Sequence, residues 1–173
     1  FEILSSPKLK LTEKIKINLI TKLSECSGHL GIAGGQYLDL SYEGKKISRN
    51  KILEMEIKKT GMLFSFCCAA PAIIKKKTIQ EIKFFENIGS KIGLLFQIAD
   101  DLIDLKSNSK EAGKKTGKDQ KKGKATLINL IGYDDSVKYC DKIIKDINKN
   151  LRIYGSRSKK INETLDYILN RKK

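Results

Sequence analysis

The chain has 173 residues, with 35 Lys and Arg against 20 Asp and Glu, a formal net charge of +15 and 40% apolar residues. That is one domain's worth of chain with a real core, and too regularly apolar to be disordered. A bilayer span needs roughly 20 uncharged residues in a row, whereas the longest apolar stretch, Met62 to Ile74, is shorter and contains Ser65 and Pro71.

The charge does not read as a nucleic-acid surface. Of the basic residues 31 are Lys and only Arg49, Arg152, Arg157 and Arg171 are Arg, whereas base reading favours the planar guanidinium. No basic stretch is interleaved with aromatics and there is no Trp, so the Lys residues read as solvated helix faces.

Hydrophobic period points to helices throughout. The opening Phe1-Glu2-Ile3-Leu4 reads like the tail of a helix and carries no signal-peptide pattern, so the beginning of the natural protein is expected to be missing. Thr12 can cap a helix with its apolar stripe at Ile15, Leu19, Ile20 and Leu23, ending at Gly28. In the segment Gly28 to Gln36, Gly28, Gly31 and Gly35 are expected on one helical face, where they admit close approach. Ser48 can cap a helix running through Ile52, Leu53, Met55 and Met62 to Cys67-Cys68-Ala69-Ala70, with a stop near Pro71. Thr78 and Glu81 form a capping box for a helix over about 78 to 105.

A Lys-rich segment from Lys106 to Lys124 follows, with eight Lys against Glu111 and Asp119. Two amphipathic helices close the chain, one through Val137, Cys140, Ile144, Ile147 and Leu151, the other through Ile161, Leu165 and Ile168. The expected architecture is an all-α bundle. Cys26, Cys67, Cys68 and Cys140 lack metal-site spacing and read as buried thiols of a reducing cytoplasm. The only histidine, His29, has no nameable catalytic partner.

The helix from Thr78 carries the chemistry. At 100° per residue, Gly89, Gly93, Gln97, Asp100, Asp101 and Asp104 share one arc, opposite Ile92, Leu95, Phe96, Ala99, Leu102 and Ile103. Three clustered carboxylates repel one another, and no Lys at i+4 within the cluster relieves them. Hard oxygen donors at i, i+1 and i+4 suit Mg²⁺, which takes a few carboxylates and fills its other positions with water and phosphate oxygens. Mg²⁺ beside several lysines implies a polyphosphate ligand.

These residues resemble the trans-isoprenyl diphosphate synthases, and most of all their bacterial farnesyl diphosphate synthase branch. The resemblance rests on Gly34-Gly35-Gln36-Tyr37-Leu38-Asp39-Leu40, Lys59-Thr60-Gly61, Gly93 through Gln97 to Asp100-Asp101-Leu102-Ile103-Asp104, and Gly113-Lys114-Lys115-Thr116-Gly117-Lys118-Asp119 followed by Gly123-Lys124-Ala125-Thr126. It implies an isoprenoid-synthase helical bundle in which residues 1–173 form the C-terminal part of a single prenyltransferase domain, with the N-terminal helices missing. The implied reaction condenses an allylic diphosphate, dimethylallyl or geranyl, with isopentenyl diphosphate and releases diphosphate. By the same resemblance Asp100, Asp101 and Asp104 are the Mg²⁺ site (Mn²⁺ being the alternative ion), and Lys59, Lys114 and Lys124 bind diphosphate. Lys59, Thr60 and Gln97 are the catalytic group, with the Thr60 and Gln97 oxygens facing the developing allylic cation. Gln36 and Asp39 shape the cavity and Asp119 lies near the metals. A cytoplasmic homodimer without nucleic acid or stable membrane insertion is expected.

The family faces two aspartate-rich motifs across its cavity and this chain holds one; the Arg pair and the isopentenyl diphosphate residues of the other half are absent too. The 173 residues alone are therefore expected to be inactive. The alternative within the same fold is a non-catalytic partner subunit of a heteromeric synthase, against which the retained Asp100, Asp101 and Asp104 speak.

Overall fold

The computed structural model of the chain describes residues 1–111 and 124–171. Its elements in order are α1 (Glu2–Ser5), α2 (Glu13–Ser27), α3 (Ile32–Tyr42), α4 (Arg49–Glu56), a single π-helical turn (Ile57–Gly61), α5 (Met62–Ile74), α6 (Ile79–Glu111), α7 (Leu127–Ile131), α8 (Tyr133–Leu151), a 3₁₀ segment (Arg152–Ser158) and α9 (Lys159–Asn170). No strand occurs among the described residues, and the fold is all-α as expected.

The chain forms two compact units. The first comprises Phe1–Leu38 and Glu54–Gly93. Here α2 lies along α5, and Ile15, Leu19 and Ile73 form a core on which Leu4, Leu11, Phe66, Ala70 and Ile82 pack. Two of the four expected α2 positions, Ile15 and Leu19, are in that core, while Ile20 and Leu23 are half-buried. Helix α6 starts where the capping box places it: the Thr78 N–H donates to Glu81 Oε2 at 3.0 Å and the Glu81 N–H donates to Thr78 Oγ1 at 3.2 Å.

Three expectations in this unit are corrected. Helix α5 does not stop at Pro71 but runs through it to Ile74. A proline inside a helix leaves the carbonyl four residues earlier without its usual partner; that residue is Cys67, on the exposed side of α5. Exposure of Cys67 also contradicts its reading as a buried thiol, while Cys26 is buried and Cys68 half-buried. Gly28 and Gly31 do not share a helical face with Gly35, because Gly28 ends α2 and α3 begins only at Ile32.

The second unit comprises Asp39–Leu53 and Leu94–Lys173. It buries Leu95, Ile98, Ala99 and Leu102 of α6, Leu127 and Ile128 of α7, Cys140, Ile143, Ile147 and Leu151 of α8, and Leu165 and Ile168 of α9. Along α8 the fully buried face is rotated by about one residue from the expected stripe: Ser136 and Ile143 are buried where Val137 and Ile144 are half-buried. The small Ser136 fits that face because its hydroxyl donates to the Gly132 carbonyl at 2.7 Å, which removes the cost of burying it.

One helical run among the described residues, Arg49–Ile74, is long and apolar enough to cross a membrane by length and composition. A count of uninterrupted apolar residues passes over it, because Lys58 and Lys59 interrupt the run.

Candidate functional site

Within the first unit, a lysine and a threonine are held on an unusual piece of backbone. Lys59 and Thr60 sit within the π-turn, where the Met62 N–H reaches back to the Ile57 carbonyl, five residues away rather than four. The extra residue widens the helix and rotates the side chains that follow it, a local irregularity found often at functional sites. Glycines explain how it is held. A Cβ on Gly35 of α3 would lie within 2.6 Å of Lys59 Cα, one on Gly93 of α6 within 2.6 Å of Gly61 Cα, and one on Gly89 within 2.7 Å of Ser65 Cα. Helices α3 and α6 thus press bare backbone against the turn and the helix that continues it, at a distance only glycine permits. Gly89 and Gly93, placed by sequence on the carboxylate-bearing arc, spend that arc on packing. Gln36, next to Gly35, is exposed, and Lys59 and Thr60 are half-buried.

His29 is exposed beside the same helix, in a shallow groove of about 380 Å³ shared with Tyr37 and Lys58. Lys58 is committed to Glu54 at 2.8 Å.

The second unit holds the carboxylates. Asp100 is exposed and Asp101 and Asp104 are half-buried on α6. Burial, with the neighbouring Asp100 and Asp104 charges, pushes the Asp101 carboxyl up to about 6, against the pull of a Gln97 hydrogen bond and of Lys124. The Gln97 amide nitrogen donates to Asp101 Oδ1 at 3.3 Å, which fixes which end of that amide faces the carboxylate.

Lys124 is exposed, and its backbone is set by the start of α7: Asn129 Nδ2 donates to the Lys124 carbonyl at 2.8 Å, while Thr126 Oγ1 accepts from the Asn129 N–H at 3.3 Å as the N-cap. Asp39 is half-buried at the C-terminal half of α3. Lys114 and Asp119 lie outside the described residues, as does most of the Lys-rich segment.

A participant the sequence did not single out is Arg171, one residue past α9. Its Nη2 donates to Asp100 Oδ1 at 2.8 Å across 71 residues of chain, and its guanidinium lies 4.1 Å from the Phe96 ring centroid.

Among the described residues no group of three carboxylate, His or Cys side chains is arranged to hold a metal ion by itself. The donor set still fits a hard divalent ion. Asp101 is raised first by its burial and then by the Asp100 and Asp104 charges, both of which a bound cation would offset, and Mg²⁺ characteristically takes one or two carboxylates and completes its shell with water and phosphate oxygens.

The all-α architecture, with its carboxylate-bearing helix, is that of the isoprenoid synthases. A family model described as polyprenyl synthetase matches residues 2–168, and the chain belongs to that family. Among curated relatives, the farnesyl diphosphate synthase of Escherichia coli is 30% identical over 178 residues, covering 100% of this chain and 60% of the relative.

Among solved structures, an FPP/GFPP synthase from Zymomonas mobilis matches with a TM-score of 0.79 at 30% identity, covering 96% of this chain and 55% of that one. A geranyltransferase from Helicobacter pylori complexed with magnesium and isoprenyl diphosphate matches with a TM-score of 0.77 at 27% identity, covering 98% and 55%. The chain spans a little over half the length of these relatives.

Proposed function

We propose that this chain carries the ionising half of a short-chain prenyltransferase, in which an allylic diphosphate is joined to isopentenyl diphosphate. The observation that carries the reading is the α6 face on which Gln97, Asp100, Asp101 and Asp104 follow one another, with Asp101 raised by burial and by the charges beside it, in a member of the polyprenyl synthetase family.

In this reading the allylic C–O bond breaks, the diphosphate leaves with the bonding electrons, and the allylic carbon forms a new C–C bond to the isopentenyl double bond. Loss of one proton to the departing diphosphate restores an alkene, so no protein base is needed. Negative charge develops on the leaving group as positive charge develops on the allylic carbon, and cations positioned in advance stabilise the leaving group. Lys59, Lys114 and Lys124 bind the diphosphate oxygens. The oxygens of Thr60 and Gln97 stabilise the allylic cation by their dipoles without capturing it. Gln36 and Asp39 shape the cavity. Asp100, Asp101 and Asp104 would hold Mg²⁺, with Mn²⁺ as an alternative, and the ion when bound neutralises the leaving diphosphate.

The same reading assigns a homodimer in the cytoplasm. It also assigns no turnover to the 173 residues alone, because they hold one aspartate-rich motif where the reaction uses two.

The test is binding of geranyl diphosphate by the full-length natural protein in the presence of Mg²⁺, measured calorimetrically. Asp100→Ala is expected to abolish Mg²⁺-dependent binding, and wild-type affinity in that variant overturns the reading. Turnover by the full-length chain alone separates it from a non-catalytic partner subunit, which would show none.

A further inference from the structure

We propose that Arg171 is a built-in counter-ion of the carboxylate face: it occupies Asp100 while no divalent ion is present, and gives Asp100 up to the ion while remaining in place as a cation for the diphosphate. The proposal rests on the reading of Asp100 as a metal ligand given above.

Three observations carry it. First, the contact is monodentate, one Nη2–H to one carboxylate oxygen at 2.8 Å, whereas a stable Arg–carboxylate pair commonly uses both forks. A single-pronged contact leaves Asp100 able to accept a second cation.

Second, the two partners are sequestered unequally. The Arg171 side chain is 15% exposed and that of Asp100 54%. The arginine is held by its stack on Phe96, one helical turn before Asp100 on α6, and so does not depend on Asp100 for its position. Losing Asp100 to a metal would leave the guanidinium anchored within a turn of the carboxylate face.

Third, the backbone aims it there. The Arg171 N–H still bonds to the Tyr167 carbonyl at 2.9 Å, closing α9, while its own φ and ψ of −60° and 134° leave the helix. The side chain that follows this exit reaches α6.

The consequence is a change of sign. Toward a metal ion alone Arg171 is a competitor for Asp100; toward a metal with diphosphate it is an added positive charge beside the anion. A residue that merely supported the fold would weaken both.

The experiment uses the full-length natural protein and two probes, Mn²⁺ alone followed by electron paramagnetic resonance, and inorganic diphosphate with Mg²⁺ followed by calorimetry. Arg171→Gln is expected to bind Mn²⁺ about 2- to 5-fold more tightly, the range for releasing a partly exposed ion pair, and to bind diphosphate with Mg²⁺ several-fold more weakly. Arg157→Gln removes the same charge elsewhere, from beside Tyr154, and is expected to leave both affinities near wild type. The Mn²⁺ gain is expected to vanish when Arg171→Gln is combined with Asp100→Asn.

The proposal is overturned if Arg171→Gln binds Mn²⁺ no more tightly than wild type, if Arg157→Gln gains as much, or if the gain survives in the Asp100→Asn background. Wild-type metal and diphosphate binding by Asp100→Asn itself would instead sink the reading of Asp100 as a ligand, so the two failures are told apart.

Discussion

The π-turn offers a graded test, because three glycines at the turn or against it meet their surroundings at different distances. Gly35→Ala and Gly93→Ala each bring a methyl to within 2.6 Å of a backbone Cα, whereas Gly61→Ala meets the Ser90 carbonyl oxygen at 3.1 Å and its hydroxyl at 3.3 Å. Ordinary carbon contacts lie at about 3.5–4.0 Å, so the first two substitutions demand about 1 Å of movement from main chain that has no rotamer to change. Such overpacking costs about 1–3 kcal/mol, partly offset by about 1 kcal/mol from replacing a helical glycine by alanine. Gly35→Ala, whose methyl also meets the Lys59 backbone nitrogen, falls at the upper end of that range, a net loss of about 2 kcal/mol, and Gly61→Ala comes out near zero.

Urea unfolding of the full-length protein measures this. With a slope of about 2 kcal/mol per molar, the midpoint of Gly35→Ala should fall by roughly 1 M and that of Gly61→Ala should hardly move. Catalysis adds a second reading, because a displacement of about 1 Å at Lys59 and Thr60 can cost up to about 100-fold in kcat. Equal midpoints for Gly35→Ala and Gly61→Ala, or a Gly35→Ala variant with unchanged stability and turnover, would refute the argument that glycine backbone contact holds the turn.

Two further outcomes are expected. Because the Asp101 carboxyl is raised to about 6 in the folded chain from an ordinary 3.8, the folded state binds the extra proton between those values. Metal-free stability is therefore present in full below about 3.8 and is lost as pH rises through about 6. The loss is about 2 kcal/mol after allowance for partial solvent exposure. Comparing urea midpoints from pH 4 to pH 7 for wild type and Asp101→Asn isolates it, and parallel profiles for the two proteins would refute it.

At the cysteines, burial and the neighbouring Cys67 push the Cys68 thiol up to about 11, while Cys67 is exposed. Iodoacetamide at pH 8, followed by peptide mass spectrometry, is expected to label Cys67 well before Cys68, since only about one Cys68 thiol in a thousand is ionised there. Equal labelling rates would contradict the assigned environments.

What was legible in the sequence followed from local rules. The capping box fixed the start of α6 because Thr78 and Glu81 satisfy each other within a single turn. The three aspartates could be placed on one arc because helical spacing alone determines it. Pro71 misled for the converse reason: a local rule predicts a stop, but the loss of one hydrogen bond, at the exposed residue Cys67, is outweighed by the packing of α5 on α2. The π-turn has no local signature at all. Its surroundings are set by Gly35 and Gly93, far apart in sequence, which bring two helices onto one short stretch of backbone.

Arg171 was hidden by its separation of 71 positions from Asp100, yet the composition held a usable clue. In a chain that writes nearly every cation as Lys, three of the four arginines stack on rings: Arg49 on Tyr139, Arg157 on Tyr154 and Arg171 on Phe96. A flat, delocalised cation is the one that can lie on an aromatic face and still reach a carboxylate. Where lysine is the default cation, an arginine on a ring marks a place where shape as well as charge is used, and in Arg171 that use coincides with the first aspartate of the candidate metal site.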